Sequence, residues 1–286
     1  MHMAIIIRDV AEMQASAGRL RSSGKRIGVV PTMGFLHEGH LSLIHIARQR
    51  ADVVVTTIFV NPTQFGPAED FTRYPRDFER DSALASGAGS DYIFAPETNA
   101  MYPEGYATYI DVERLTTTLE GKSRPGHFRG VATVVAKLFH LTRPHVAIFG
   151  QKDAQQVVVV RQMVRDLHFD LEIIVAPIVR EPDGLAMSSR NTYLTQGQRR
   201  EAPVLYRALA MAEGLIRAGE RSSEHVVRSM SKHITSASSG VIDYISVADG
   251  TTLEEMDICE KGRPLLISLA VRFGSTRLID NITLTI

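Results

Sequence analysis

The chain has 286 residues, 44% of them apolar and 22% charged, and at about 150 residues per domain that length suggests two domains, each able to bury its own core. Lysine plus arginine and aspartate plus glutamate each total 32, so the formal net charge is zero and the basic excess of a protein built to grip phosphate backbones is lacking. A single cysteine, Cys259, excludes an internal disulfide and a cysteine-built zinc module and fits a reducing compartment.

The opening Met1-His2-Met3 is compatible with a cloning remnant. Ile5 to Ile7 runs straight into Arg8 and Asp9, so it makes no secretory h-region. The longest apolar runs, such as Val53 to Val60, fall far short of the roughly 18 residues that span a bilayer. The chain reads as a soluble cytoplasmic protein with no nucleic-acid and no membrane partner.

Asp9 offers an N-cap with Glu12 three residues on, and Gly24 can close the helix that follows. Ile27 to Val30 is a first buried-strand run. After it, Leu41, Ile44 and Ala47, with Leu43 and Ile46 beside them, give an apolar helix face. Val53 to Phe59 is a second strand, dense in β-branched residues as a strand covered on both faces tends to be. Tyr92 to Phe94 is a third. Val131, Val134, Val135 and Leu138 mark a helix, Val146 to Phe149 a fourth strand, Gln155 to Leu167 a helix directly after it, and Ile173 to Val175 a fifth strand. This alternation predicts an α/β fold, a Rossmann-like doubly wound parallel sheet over residues 1–180. Glu181-Pro182-Asp183-Gly184 is a turn cluster that reads as a hinge. Helices around 202–219 and 223–235 and strands at 242–247 and 265–271 then predict a smaller C-terminal α+β domain over 181–286.

The strongest chemical signal is Pro31-Thr32-Met33-Gly34-Phe35-Leu36-His37-Glu38-Gly39-His40, directly after the first predicted strand. Gly34 permits a tight turn, and Gly39 has no side chain to stop a ligand approaching the backbone. His37 and His40 are three apart, so in a first helical turn they project to one side, beside N–H groups and a positive dipole end that suit an anion. They could instead only cap the helix. Zinc is disfavoured, because the helical zinc-protease motif needs histidines at i and i+4, and no G-x-G-x-x-G is present. Gly150-Gln151-Lys152-Asp153 follows the fourth strand, at the carboxyl edge where open parallel sheets bind ligands. There Lys152 can place a point charge on a phosphate and Asp153 can accept from ribose hydroxyls, although a lone lysine is more often a solvated surface charge. Met187-Ser188-Ser189-Arg190, just past the hinge, offers two hydroxyls and a guanidinium, a phosphate clamp or merely a helix cap.

Taken together with Ile58-Phe59-Val60-Asn61-Pro62-Thr63-Gln64-Phe65, Arg124-Pro125-Gly126-His127-Phe128-Arg129-Gly130 and Asp183 to Asn191, these segments resemble the HxGH nucleotidyltransferase group and, over about Ile5 to Ile286, the pantoate-β-alanine ligase family. The resemblance implies ATP-dependent condensation of pantoate with β-alanine through an enzyme-bound pantoyl adenylate, with Mg2+ on the ATP phosphates, no protein metal site, and a homodimer. It places Met33 to His40 in the ATP site, with His40 as proton donor or charge stabiliser and His37 facing phosphate. It places Gly150 to Asp153, Val179 and Met187 to Arg190 in the same ATP site. Among these, His37, His40, Lys152, Ser188, Ser189 and Arg190 carry the catalysis. Gln64 and Gln156 match the pantoate contacts, and Asn61 a β-alanine or carboxylate contact. Val134, Val135 and Leu138 could wall the geminal methyls, or simply pack the core. Other readings stay open: transfer of AMP or CMP to a phosphorylated alcohol, which should show extra cations where Gln64 and Gln156 are neutral; a tRNA-charging fragment, for which the segment after the hinge is short; and a nucleotide sensor without turnover.

Overall fold

β-branched and aliphatic residues concentrate in short runs, and in the computed structural model, which describes residues 3–67 and 69–286, those runs are the strands of one sheet. Met1 and His2 of the opening tripeptide lie outside the described residues. The chain divides into two compact units: one runs to Gly150 and resumes over Val159–Pro177, the other comprises Gln151–Val158 and Ile178–Ile286. Residues 151–158, which precede the division at 180 read from the sequence, thus group with the second unit.

In chain order, the elements up to residue 176 are β1 (Ile5–Ile7), α1 (Val10–Ser22), β2 (Ile27–Thr32), α2 (Glu38–Arg50), β3 (Val53–Ile58), α3 (Phe78–Ala88), β4 (Tyr92–Phe94), the short helices α4 (Thr98–Met101) and α5 (Glu120–Ser123), α6 (His127–Thr142), β5 (Val146–Gly150), α7 (Ala154–Asp166) and β6 (Glu172–Ala176). All six strands pair in parallel in the order β1-β4-β3-β2-β5-β6. The chain leaves β2 toward β3 and β4 on one side, then returns to β5 and β6 on the other, so the strand order reverses between β2 and β5. The carboxyl ends beside such a reversal are where open α/β sheets bind ligands. The doubly wound sheet expected from the alternation is therefore present.

The sheet is held by apolar burial. Val30, Val54, Ile93 and Ile148 are fully buried and pack with Leu36, Ile44 and Ala47 around α2 and with Ala85 of α3, each large side chain contributing about 1.5–3 kcal/mol. Asp9 caps α1 as expected: its carboxylate accepts from the Glu12 N–H at 2.8 Å. Four elements of this unit were not legible: β1, α3 and the four-residue helices α4 and α5. β1 is a three-residue edge strand with only Ile7 buried, too short to separate from a helix fragment by period. α3 is rich in alanine and serine and starts from an aspartate cap, Asp77.

In the second unit, α8 (Gln196–Glu201), α9 (Val204–Arg217) and α10 (Ser223–Ala237) precede an antiparallel sheet of β7 (Val241–Asp249), β8 (Pro264–Phe273) and β9 (Thr276–Thr285), in that order. Leu205, Leu209 and Ile216 of α9 and Met230 and Ile234 of α10 bury against Leu265, Ile267 and Leu269 of β8. This is the smaller α+β domain predicted, with one further strand. β9 escaped notice because Asp280 and Asn281 interrupt its apolar alternation, and both residue types are depleted in strands.

Candidate active site

The loop leaving β2 turns through two left-handed residues, Gly34 at φ 85° and Phe35 at φ 49°. Glycine suits the first on two counts, since a Cβ there would also lie 3.0 Å from the Asp81 carboxylate and 3.1 Å from Ile58. The strain at Phe35 is countered by Asp81 of α3, which accepts from the N–H groups of Phe35 at 2.6 Å and Leu36 at 2.7 Å, while Arg80 donates to the Leu36 carbonyl at 2.9 Å. Asp81 is 1% exposed, and burial raises its carboxyl above the usual range despite those two bonds.

The loop delivers His37 to the start of α2, with Glu38 and Gly39 in its first turn. His37 Nδ1 accepts from the Gly39 N–H at 3.2 Å, and His40 Nδ1 accepts from the His37 N–H at 3.3 Å. The two rings lie 4.1 Å apart between centroids. Capping is therefore real, and it is made through Nδ1 of each ring. With Nδ1 accepting, the ring proton is assigned to Nε2, which makes Nε2 a donor on both residues.

A second cluster in the same unit gathers Met33, Asn61 and Gln64. Pro62–Gln64 is a 3-10 turn after β3. The Gln64 amide donates to the Met33 sulfur at 3.0 Å and accepts from Asn61 Nδ2 at 3.1 Å. Asn61 also donates to the Gly130 carbonyl at 3.1 Å and accepts from Tyr102 Oη at 2.7 Å and Thr63 Oγ1 at 3.0 Å. All four hydrogen-bonding positions of its amide are thus engaged within the protein, so here Asn61 orients Gln64, and touching a substrate would require giving up one of these bonds. Burial raises the Tyr102 phenol to about 12, so it stays protonated and donates.

From the other side, His127 Nδ1–H donates to the Gln64 carbonyl at 2.8 Å, and the Arg124 guanidinium donates to His127 Nε2 at 3.1 Å. Glu69 holds Arg124 through Oε1 at 2.8 Å and Oε2 at 2.6 Å. Those bonds need a neutral His127, and burial together with the neighbouring Arg124 charge lowers its imidazole to about 4. The Arg124-to-Gly130 motif thus acts on Gln64, a role that its sequence alone did not reveal. Asp81 and Tyr102 were missed outright, because neither stands near a motif. Val134, Val135 and Leu138 are buried on α6.

The other residues singled out in the sequence are spread over both units. Gly150 ends β5 in the first unit, and a Cβ there would meet open space. Gln151, Lys152 and Asp153 form a 3-10 turn in the second unit, with Lys152 Nζ 3.8 Å from Asp153 and its side chain 22% exposed. Gln156 is half-buried on the first turns of α7. The Val179 carbonyl accepts from the Met187 N–H at 3.0 Å across the turn made by Glu181 to Gly184. Ser188 caps the 3-10 turn Ser189–Tyr193 by accepting from the Arg190 N–H at 3.3 Å. Lys152 is therefore no freely solvated charge, and Val179 is brought against the clamp segment.

A sequence profile of the pantoate-beta-alanine ligase family matches residues 5–283. The chain belongs to that family. A pantothenate synthetase of Moorella thermoacetica is 56% identical over 281 residues, 98% of this chain and 99% of the relative. The crystal structure of pantothenate synthetase from Thermus thermophilus superposes with TM-score 0.91 at 47% identity, over 97% of this chain and 98% of that one. A pantoate-beta-alanine ligase from Francisella tularensis, solved in complex with beta-gamma ATP and β-alanine, gives TM-score 0.80 at 34% identity, over 98% of this chain and 97% of that one. Among the described residues no helix is long and apolar enough to cross a membrane.

Proposed function

We propose that the chain condenses pantoate with β-alanine at the expense of ATP, through a pantoyl adenylate, with the residues described above in named roles. In the first step a pantoate carboxylate oxygen bonds to the α-phosphorus and the bond to the β-phosphate bridging oxygen breaks, so pyrophosphate leaves with the electron pair. In the second step the β-alanine amine bonds to the acyl carbon, the acyl carbon–oxygen bond to AMP breaks with its electron pair leaving on the AMP phosphate, and the nitrogen's proton passes to water. Neither step asks the protein for a covalent bond, so positioning and charge stabilisation carry the rate.

The observation that carries this reading is the pair of imidazoles at the start of α2, beside the point where the strand order reverses. Their Nε2–H groups act as donors to phosphate oxygens as negative charge grows there. In the second unit, Lys152 supplies a point charge to the phosphates, Asp153 accepts from ribose, and Met187 to Arg190 with Val179 take the nucleotide. Gln64 and Gln156 hold pantoate. The Gln64 Nε2–H group rests on a thioether sulfur, a weak acceptor, so a pantoate hydroxyl or carboxylate replaces it with a stronger bond. Magnesium enters as part of the nucleotide substrate, held by phosphate oxygens; among the described residues no three His, Cys, Asp or Glu side chains gather as a metal cage. The family likeness further supports a cytoplasmic homodimer.

The deciding experiment is pantoate-dependent exchange of labelled pyrophosphate into ATP with β-alanine absent. Exchange that requires pantoate, followed by release of AMP and pantothenate on adding β-alanine, is the expected result. ATP binding without exchange would sink the ligase reading and favour a transferase or a sensor.

A further inference from the structure

Asn281 and its neighbour Asp280 sit in the middle of β9, 3% and 2% exposed. Burying two polar side chains in a strand costs free energy unless each finds partners, and here those of Asn281 lie on the turn proposed above to meet ATP. Asn281 Nδ2 donates to the carbonyls of two successive residues, Gln151 at 3.0 Å and Lys152 at 2.9 Å, and its Oδ1 accepts from Gln151 Nε2 at 3.0 Å. Asp280 stands behind it: one oxygen accepts from the Asn281 N–H at 2.8 Å and from Arg180 Nη2 at 3.0 Å, the other from Arg180 Nη1 at 2.6 Å. Arg180 Nη1 also donates to the Gly184 carbonyl at 3.1 Å, in the turn that leads to Met187.

We propose that Asn281 is a positioning residue for Lys152 in the adenylation step, fixing the lysine's backbone so that its ammonium meets the ATP phosphates. The proposal rests on the phosphate role given to Lys152 above. A lysine is a point charge on a flexible four-carbon stem, so its placement is only as good as the backbone that carries it, and a misplacement of about 1 Å costs about 100-fold in rate. The amide of Asn281 bridges adjacent carbonyls and closes the ring through the Gln151 side chain, which removes the freedom of that peptide to rotate. An aspartate could not donate to either carbonyl, and an alanine would leave both oxygens without that donor. Asp280 and Arg180 keep the amide facing the turn.

The test is a double-mutant cycle on the full chain, read on ATP affinity by calorimetry and on pantoate-dependent pyrophosphate exchange. Asn281→Ala is expected to lower exchange turnover by about 10- to 100-fold while the KM for pantoate stays within about twofold. In a Lys152→Ala background the same change is expected to alter ATP affinity by less than about twofold, because it acts through a side chain already removed. If Asn281→Ala fails to fold, Gln151→Ala, which deletes the donor to Asn281 Oδ1 and leaves β9 intact, takes its place in the cycle. Full turnover in the single variant, or losses that multiply unchanged in both backgrounds, overturns the positioning role and leaves the ligase reading standing. Unchanged ATP affinity and turnover in Lys152→Ala overturns the phosphate role of Lys152 and the positioning role with it, while the exchange itself leaves the ligase reading standing.

Discussion

Tyr102 belongs to no motif, yet its hydroxyl sets the orientation of the Asn61 amide, and through it the Oε1 of Gln64. Tyr102→Phe removes one oxygen and keeps the ring, which also packs against Tyr106 at 5.0 Å. Losing that hydrogen bond costs about 1 kcal/mol of orientation. The KM for pantoate is expected to rise by about five- to tenfold with ATP affinity unchanged, as steady-state kinetics and calorimetry would measure. A pantoate KM equal to that of the parent enzyme would separate Tyr102 from the Gln64 cluster. At this scale the sequence was legible only where chemistry is consecutive. Met33 to His40 declares itself because glycines, imidazoles and a preceding strand stand in one decapeptide. Asp81, Tyr102 and Asn281 each act on residues far away in the chain, and nothing in their own neighbourhoods marks them.

Among the elements, α6 and the 3-10 turn Pro62–Gln64 approach at a glycine. An alanine is usually better than glycine inside a helix by about 1 kcal/mol. At Gly130 the sign reverses, because a Cβ would fall 2.2 Å from the Thr63 carbonyl oxygen and 2.7 Å from the Gln64 nitrogen, both backbone atoms. Gly130→Ala is therefore expected to lower stability by about 1–3 kcal/mol and to weaken pantoate use more than ATP binding. Denaturant melts and substrate titrations check both halves. The strands β2 to β6 could be read in advance because β-branched runs between turn signals have few alternative uses. β1 is too short for a period, and β9 holds a buried polar pair, Asp280 and Asn281, that breaks its alternation, so local propensity gave way there to a tertiary demand.

For the molecule as a whole, His127 makes stability depend on pH. Unfolded, its imidazole takes a proton near the ordinary value of 6.5; folded, it resists protonation down to about 4. Between those values the unfolded chain binds more protons, so stability is fully present above the upper one and drains away as pH falls through the lower one. The span corresponds to about 3 kcal/mol. His127→Gln can donate to the Gln64 carbonyl and accept from Arg124 without titrating. Melts from pH 4 to 7 are expected to show a flatter acid limb in the variant, and an identical slope would remove His127 from the account. Each unit carries its own apolar core, so the limb is to be followed with a probe in the unit that holds α6.

The two histidines opening α2 cap the helix with the same rings proposed above to meet the ATP phosphates. Serine, aspartate and asparagine begin helices better, so replacing His37, the N-cap residue, by one of them would be expected to strengthen the cap while silencing the proposed reaction. That couples durability to turnover at a single locus. A search for hardier variants of this enzyme would meet its most tempting improvement at the one turn where it cannot be accepted, and gains in heat resistance must come from elsewhere in the chain.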